Sequence, residues 1–285
     1  MPNRVAISYS SEGEKPQAKP RRLPLPTLRL TQNDGEMLKP RELIEVHGAE
    51  SLTLTDRRVY NRLIRNAHGP ALGMAGSQFE MRLADLRMNH RSNDRLGETL
   101  RRLMRTLVVI KHKDGSTSQV ALLGPNNFDS PRRVEGRLVY EIWPRLAEVL
   151  NESMVFAKLQ TEVMDSFNSS YAYALYEAVA LRSRLIHMRS ERIDLKALRS
   201  QFLGVGENKL KTFGALRQTA LDPALKEINE LAPFHVEFNP IRSGRKIVGV
   251  HLFWRDKTTA ELKQQYEAIK RRAGAQRTMF EVLDC

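Results

Sequence analysis

The 285-residue sequence predicts an α+β fold class: two tandem winged-helix domains forming a pseudo-repeat between flexible N- and C-terminal tails. Three observations carry this. Residues 209–257 place a helical pattern ahead of two alternating runs joined by a basic turn. The order helix, helix, helix, hairpin also occurs upstream, between residues 53 and 123. The formal net charge of +13 sits on both blocks, with 18 Lys+Arg against 13 Asp+Glu over 41–150 and 15 against 9 over 171–257. Such a field favours polyanions, nucleic acid ahead of an anionic membrane. Its division between two blocks predicts an extended two-module footprint on DNA.

In the downstream module, Phe213, Leu216, Ala220, Ala224, Ile228 and Leu231 recur at spacings of three and four, which puts them on one helical face. Lys211, Ala215, Gln218 and Thr219 lie opposite, with Arg217 at the flank. Asp222-Pro223 predicts a kink or a restart, because proline lacks a backbone donor and crowds the preceding turn. Phe234–Phe238 and Lys246–Trp254 alternate as strands around a turn at 239–245. A helix of this kind fits a major groove, and the hairpin tip can reach phosphate or the minor groove. The competing reading is an ordinary α+β hairpin with a solvated basic turn.

Taken in order, residues 1–40 hold six of the thirteen prolines and read as a disordered basic arm, either a source of phosphate contacts or an inert leader. Residues 41–167 form the first domain and a connector. They contain a helix over 53–67 capped by Thr55 or Asp56, a second over Phe79–Met88 and a third over Ser92–Met104. A hairpin of Leu107–Lys111 and Ser118–Leu123 follows, turning at Asp114-Gly115. A strand over 137–143 and a proline-started helix over 144–150 lead into the amphipathic connector 154–167. Residues 168–257 form the second domain, with a Ser169- or Ser170-capped helix through Arg184, a helix over Arg192–Phe202 stopped at Gly204, and the segment above. Residues 258–285 are a charged helix over Thr258–Arg272, stopped by Gly274, and a tail. The two copies align Tyr60 with Tyr176, Phe79 with Ile193, Met81 with Leu195, and Leu107 with Pro233 or Phe234.

The single cysteine, Cys285, excludes a disulfide framework and a zinc-ligand set and points to a cytoplasmic setting. No run approaches the ~20 apolar residues of a membrane span, and the N-terminus has no apolar signal segment. There is no His-x-His metal pair for a nicking enzyme, no phosphate-binding G-x-x-x-x-G-K-[ST] loop and no carboxylate cluster of a two-metal nuclease. His235 and His251 fall in strands, where a structural role fits. A DNA-binding protein with no catalysis and no cofactor or metal of its own is expected.

Tyr171-Ala-Tyr-Ala-Leu-Tyr-Glu177, Asp194-Leu-Lys-Ala-Leu198 and above all Leu221-Asp-Pro-Ala-Leu-Lys-Glu-Ile-Asn229 resemble the second winged-helix domain of the iteron-binding plasmid replication initiators. The upstream block 41–167 fits that family's first domain in order and length. The resemblance implies binding of monomers to direct repeats in double-stranded DNA at a plasmid origin, melting of the duplex nearby and recruitment of host replication proteins. It also implies dimers joined through the first domain that repress the initiator's own gene. The alternative is a tandem winged-helix transcriptional repressor with no replication role. Carried over, the recognition segment falls on Lys209, Lys211, Thr212, Arg217 and Gln218, the wing on Arg242, Arg245 and Lys246, and the first domain's equivalent helix on Arg91, Asn93, Arg95, Arg101 and Arg102. Gly214 and Ala215 are smaller than a base-reading face leads one to expect. In the tail, Gln276-Arg-Thr-Met279-Phe280 resembles the short peptide by which bacterial replication proteins dock on the sliding clamp. A host helicase or initiator is a further candidate partner.

Overall fold

The computed structural model describes residues 25–86, 94–111, 115–128, 136–185 and 187–282. Residues 25–40 are built into the fold, which corrects the arm predicted to extend to residue 40. Leu28 and Met37 are buried, and β1 (Glu36–Pro40) pairs antiparallel with β7 (Phe156–Gln160).

The first domain opens with α1 (Leu54–Ala67). Its N-cap is Thr53 rather than Thr55 or Asp56. The Thr53 side chain accepts from the Asp56 amide, and the Asp56 carboxylate accepts from the Thr53 amide, a reciprocal capping box. A strand, β2 (Gln78–Arg82), then takes the first four residues of the predicted second helix, and α2 (Leu83–Leu86) is its helical part among the described residues. Phe79 and Met81 turn inward and the polar residues between them outward. That is the period of a half-buried strand, and it was present in Gln-Phe-Glu-Met-Arg. After α3 (Asp94–Arg105) come β3 (Leu107–Lys111) and β4 (Thr117–Ala121), the predicted hairpin.

That hairpin is not the wing of the first domain. The domain's three-stranded sheet has the order β2-β6-β5, from β5 (Asn126–Phe128) and β6 (Arg137–Glu141). The second domain has the same arrangement, with β8 (Ser190–Asp194), β10 (Lys246–Asp256) and β9 (Phe234–Ser243) in the order β8-β10-β9. By this correspondence β5 and β6 are the first wing and β3–β4 is an added hairpin, so aligning Leu107 with Phe234 does not hold. Residues 129–135, between β5 and β6, lie outside the described residues. Next, α4 (Pro144–Asn151) begins at its proline, and α5 (Thr161–Ser166) follows β7.

The second domain starts with α6 (Ser170–Ser183), capped by Ser169 as predicted, with Ala172 to Arg182 all buried. Tyr60 and Tyr176 are each the seventh residue of a 14-residue helix, and both are buried, so this pair of the proposed repeat does coincide. Residues 190–194 form β8 (Ser190–Asp194), where a helix from Arg192 was expected. Asp194 then caps α7 (Leu195–Ala197), which widens into a π turn, Leu198–Phe202. Gly204 ends that helix at φ +61°.

One continuous helix follows, made of α8 (Phe213–Leu216), a π turn Arg217–Leu221 and α9 (Asp222–Leu231). Pro223 does not restart it. The Asp222 amide donates to the Arg217 carbonyl, an i→i−5 bond, so the register shifts by one residue just before the proline. The hairpin of β9 (Phe234–Ser243) and β10 (Lys246–Asp256) runs farther than predicted and turns tightly at Gly244-Arg245, with Gly244 at φ +58°. Pro240 fits within β9 because β9 is a sheet edge and owes no amide on its outer side.

The last helix, α10 (Thr259–Val282), passes through Gly274, so the predicted stop and free tail are not what the described residues show. Ala268 and Ile269 of α10 are buried, and Arg272 pairs with Glu227 at 2.7 Å and Glu230 at 2.6 Å. Glu227 also accepts the amides of Asn168 and Ser169 at the start of α6. The two domains share one apolar core across α6. At their junction the buried Lys39 ammonium meets Glu177 at 2.7 Å, and Asn61 donates to both Glu177 and the Tyr173 hydroxyl. Burial lowers the Lys39 pKa against the pull of Glu177.

Candidate nucleic-acid interface

The winged-helix arrangement turns the apolar stripe of the recognition helix, Leu216, Ala220, Ala224, Ile228 and Leu231, into the core. The opposite face is left to solvent. Lys209, Lys211, Thr212, Arg217 and Gln218 are all exposed, together with Gly214 and Thr219. Thr212 does more than lie on that face. Its side chain accepts from the Ala215 amide and caps α8, so the helix begins where the polar stretch begins.

Arg217 is engaged in the free protein. Its Nε donates to the Asp222 carboxylate at 3.0 Å, and its guanidinium lies 5.5 Å from the Phe238 ring centre on β9. Gln218 and Lys211 carry no such partner among the described side chains. At the hairpin tip Arg242, Arg245 and Lys246 are exposed and paired with no carboxylate among the described residues. Wing and helix therefore form one surface rich in donors and poor in acceptors. Such a surface suits phosphate and base edges.

The loop between the π turn Leu198–Phe202 and α8 borders a cleft of about 1070 Å³ between the domains. His47 and Val109 line it from the first domain, and Arg199, Gln201, Lys211 and Phe213 from the second. Gln201 Nε2 and His47 Nε2 meet there at 3.2 Å. Sequence periodicity did not single out Arg199 or Gln201: Gln201 meets His47, distant in the chain, and Arg199 bonds backbone carbonyls, which leave no side-chain pattern.

The first domain's candidate residues divide. Arg91 and Asn93 lie outside the described residues. Arg95 and Arg101 are exposed on α3, and Arg101 Nε donates to the Gly97 carbonyl at 3.2 Å. Arg102 is engaged within the domain. Its Nε and Nη2 reach the two oxygens of buried Asp56 at 2.9 Å each, a bidentate tie between α3 and the N-terminus of α1. In the predicted clamp peptide, Gln276, Met279 and Phe280 lie on the last turns of α10, not in a separate tail, and their side chains are outside the described set.

His235 Nε2 meets Glu237 at 3.2 Å on β9, and the His251 ring lies 4.1 Å from the Phe253 ring, tilted by 40°, in β10. Among the described residues no group of three His, Cys, Asp or Glu side chains is placed to hold a metal ion. None of the described helices is long and apolar enough to cross a membrane.

Two winged-helix domains of like sheet order, each with a partly exposed third helix, define a tandem winged-helix protein. The chain belongs to the initiator replication protein family: the model "Initiator Replication protein, WH1" matches residues 36–180, and "Initiator Rep protein, WH2" matches 195–254. Among solved structures it resembles the Pi initiator protein, whose crystal structure is a complex with iteron DNA. The two are 18% identical, with a TM-score of 0.57, over 80% of this chain and 100% of that one. That likeness is one of fold. Comparison with curated proteins gives no match.

Proposed function

We propose that this protein initiates plasmid replication by binding repeated DNA sites, iterons, at an origin, opening the duplex nearby and recruiting host replication proteins, and that it represses its own gene. The observation that carries this reading is the donor-rich surface of Lys209, Lys211, Gln218, Arg242, Arg245 and Lys246 on the capped helix and wing of a Rep-family chain. The Pi initiator, which shares the fold, is bound to iteron DNA in its crystal structure. Opening is driven by binding energy and DNA bending, so the protein needs no covalent chemistry, cofactor or metal.

Dimers form through the first domain, where the added β3–β4 hairpin leaves Leu107 more than half exposed beside Met104. The monomer is the iteron-binding form. In the host the C-terminal end of α10 offers Gln276, Met279 and Phe280 to the sliding clamp, with helicase and host initiator as further partners. Direct binding of peptide 272–285 to the clamp tests this, and binding unchanged by a Met279→Ala/Phe280→Ala double substitution rejects it. The main reading is tested by whether DNA flanking the gene supports replication of an otherwise originless plasmid only when this protein is supplied.

A further inference from the structure

The helix-to-helix geometry of the second domain depends on a loop, 203–212, whose start is anchored by buried Leu203 and Val205 and whose residues 207–209 are exposed. It enters at Gly204 and contains Leu210 at φ +49°, a left-handed conformation that a residue with a Cβ disfavours. Its carbonyls at Gly206, Lys209 and Leu210 converge on one point instead of pointing to water. A single guanidinium occupies that point. Arg199, in the π turn after α7, donates Nη1 to the Leu210 carbonyl and Nη2 to the carbonyls of Lys209 and, at 3.3 Å, Gly206. The Arg199 carbonyl in turn accepts the Val205 amide at 2.7 Å, so both ends of the residue grip the same loop. Inside the loop the Lys209 amide donates to Gly206 at 3.0 Å.

No carboxylate pairs with Arg199 among the described residues. Its charge is instead directed to three carbonyl dipoles. The geometry needs a planar fork. A lysine ammonium presents its donors from one point on a flexible stem and cannot span three carbonyls held by two nitrogens. What the loop presents is Lys209 and Lys211, and it ends at Thr212, the cap of α8.

We propose that Arg199 is a positioning residue for DNA recognition: it fixes the loop that leads into the Thr212 cap, and so the first turn of α8, in the orientation that meets the groove, without itself touching phosphate. This rests on the reading that the 209–218 surface meets DNA. Prepaid ordering of this kind lowers the cost of binding to the specific site.

The test uses the full chain with Arg199→Lys and Arg199→Ala, and Lys211→Ala as the comparator. Binding is measured against a duplex containing the repeats that the wild-type protein protects, and against random duplex, over a range of salt. Amide exchange is followed without DNA. Positioning predicts that both Arg199 variants lose roughly tenfold or more on the repeat and little on random duplex, with the salt slope of the wild type. The Lys209 amide should exchange faster in both, while the buried α6 amides keep their protection. Lys211→Ala should instead flatten the salt slope. Wild-type affinity in Arg199→Lys, a flattened slope in Arg199→Ala, or unchanged Lys209 exchange would each overturn the inference. Arg199→Lys retains charge and length, so it decides the matter even where Arg199→Ala unfolds. If the wild-type protein prefers no repeat, the recognition reading fails by itself. Lys209 exchange then decides the role of Arg199: faster exchange in both variants supports it and unchanged exchange overturns it.

Discussion

Asp56 shows how one residue can serve two ends of a domain. Its carboxylate closes the capping box of α1 and receives the bidentate grip of Arg102 from α3. Burial pushes its carboxyl up, but the bonds from Arg102 and Thr53 outweigh this and hold it below the ordinary 3.8. With the folded pKa depressed, the stabilisation is complete above pH 3.8 and is lost as the pH falls through the folded value. Asp56→Asn should therefore lower stability at neutral pH by about 2 kcal/mol, the scale of a lost cap and charge-assisted bond. The variant should also show a weaker acid limb than the wild type in denaturant melts between neutral and acid pH. Equal pH dependence of the two proteins would contradict this. Arg102→Ala should cost stability and leave DNA affinity per folded molecule unchanged. On the recognition surface, Gln218→Ala should lose ~1–3 kcal/mol on the repeat and little on random DNA, as a base contact does. Arg245→Ala should weaken both and reduce the salt slope by about one. Arg217 has to leave Asp222 to reach a base. Asp222→Asn should thus free it and tighten binding, by less than about 1 kcal/mol because the pair is exposed.

At the scale of the element, β8 and β10 cross so closely that a Cβ on Gly249 would come within 2.3 Å of the Ile193 carbonyl. Gly249→Ala should part these strands and cost about 1–3 kcal/mol, read as a lowered thermal midpoint with weakened strand amide protection. The hairpins, the α6 cap, the proline-started α4 and the apolar stripe of the recognition helix were legible in the sequence, because each depends on neighbours a few residues away. The strands β2 and β8 were not. Gln78–Arg82 alternates, but five residues carry a weak signal, and their partners in β6 and β10 lie more than fifty residues on. The first wing was missed for the same reason: β3–β4 has the stronger local turn, yet β5–β6 completes the sheet. In the site, exposure of Lys211 and Gln218 followed from periodicity, and Lys209 came from the family resemblance. The commitment of Arg102 to Asp56, of Arg217 to Asp222 and of Arg199 to the loop needed tertiary geometry.

Across the whole molecule, α6 ties the domains together. The β1–β7 sheet packs on it, Lys39 neutralises Glu177 beneath that sheet, and Arg182 bridges to Glu45 at 2.8 Å. A chain starting at Ser169 lacks all of this and uncovers the face of α6 that carries Glu177. It should unfold at lower denaturant than the second domain within the full chain, and it should be monomeric if dimers form through β3–β4. Sedimentation and denaturant melts check both. The account as a whole stands on selective recognition of repeated DNA by the helix and wing. A footprint of the full chain on the DNA flanking its gene tests that most directly. We predict discrete protected segments of common sequence at regular spacing, bound at least ~10³-fold more tightly than random duplex at physiological salt and all weakened together, by ~1–3 kcal/mol, in Gln218→Ala. Uniform protection along the fragment, with equal affinity for random DNA, would contradict it.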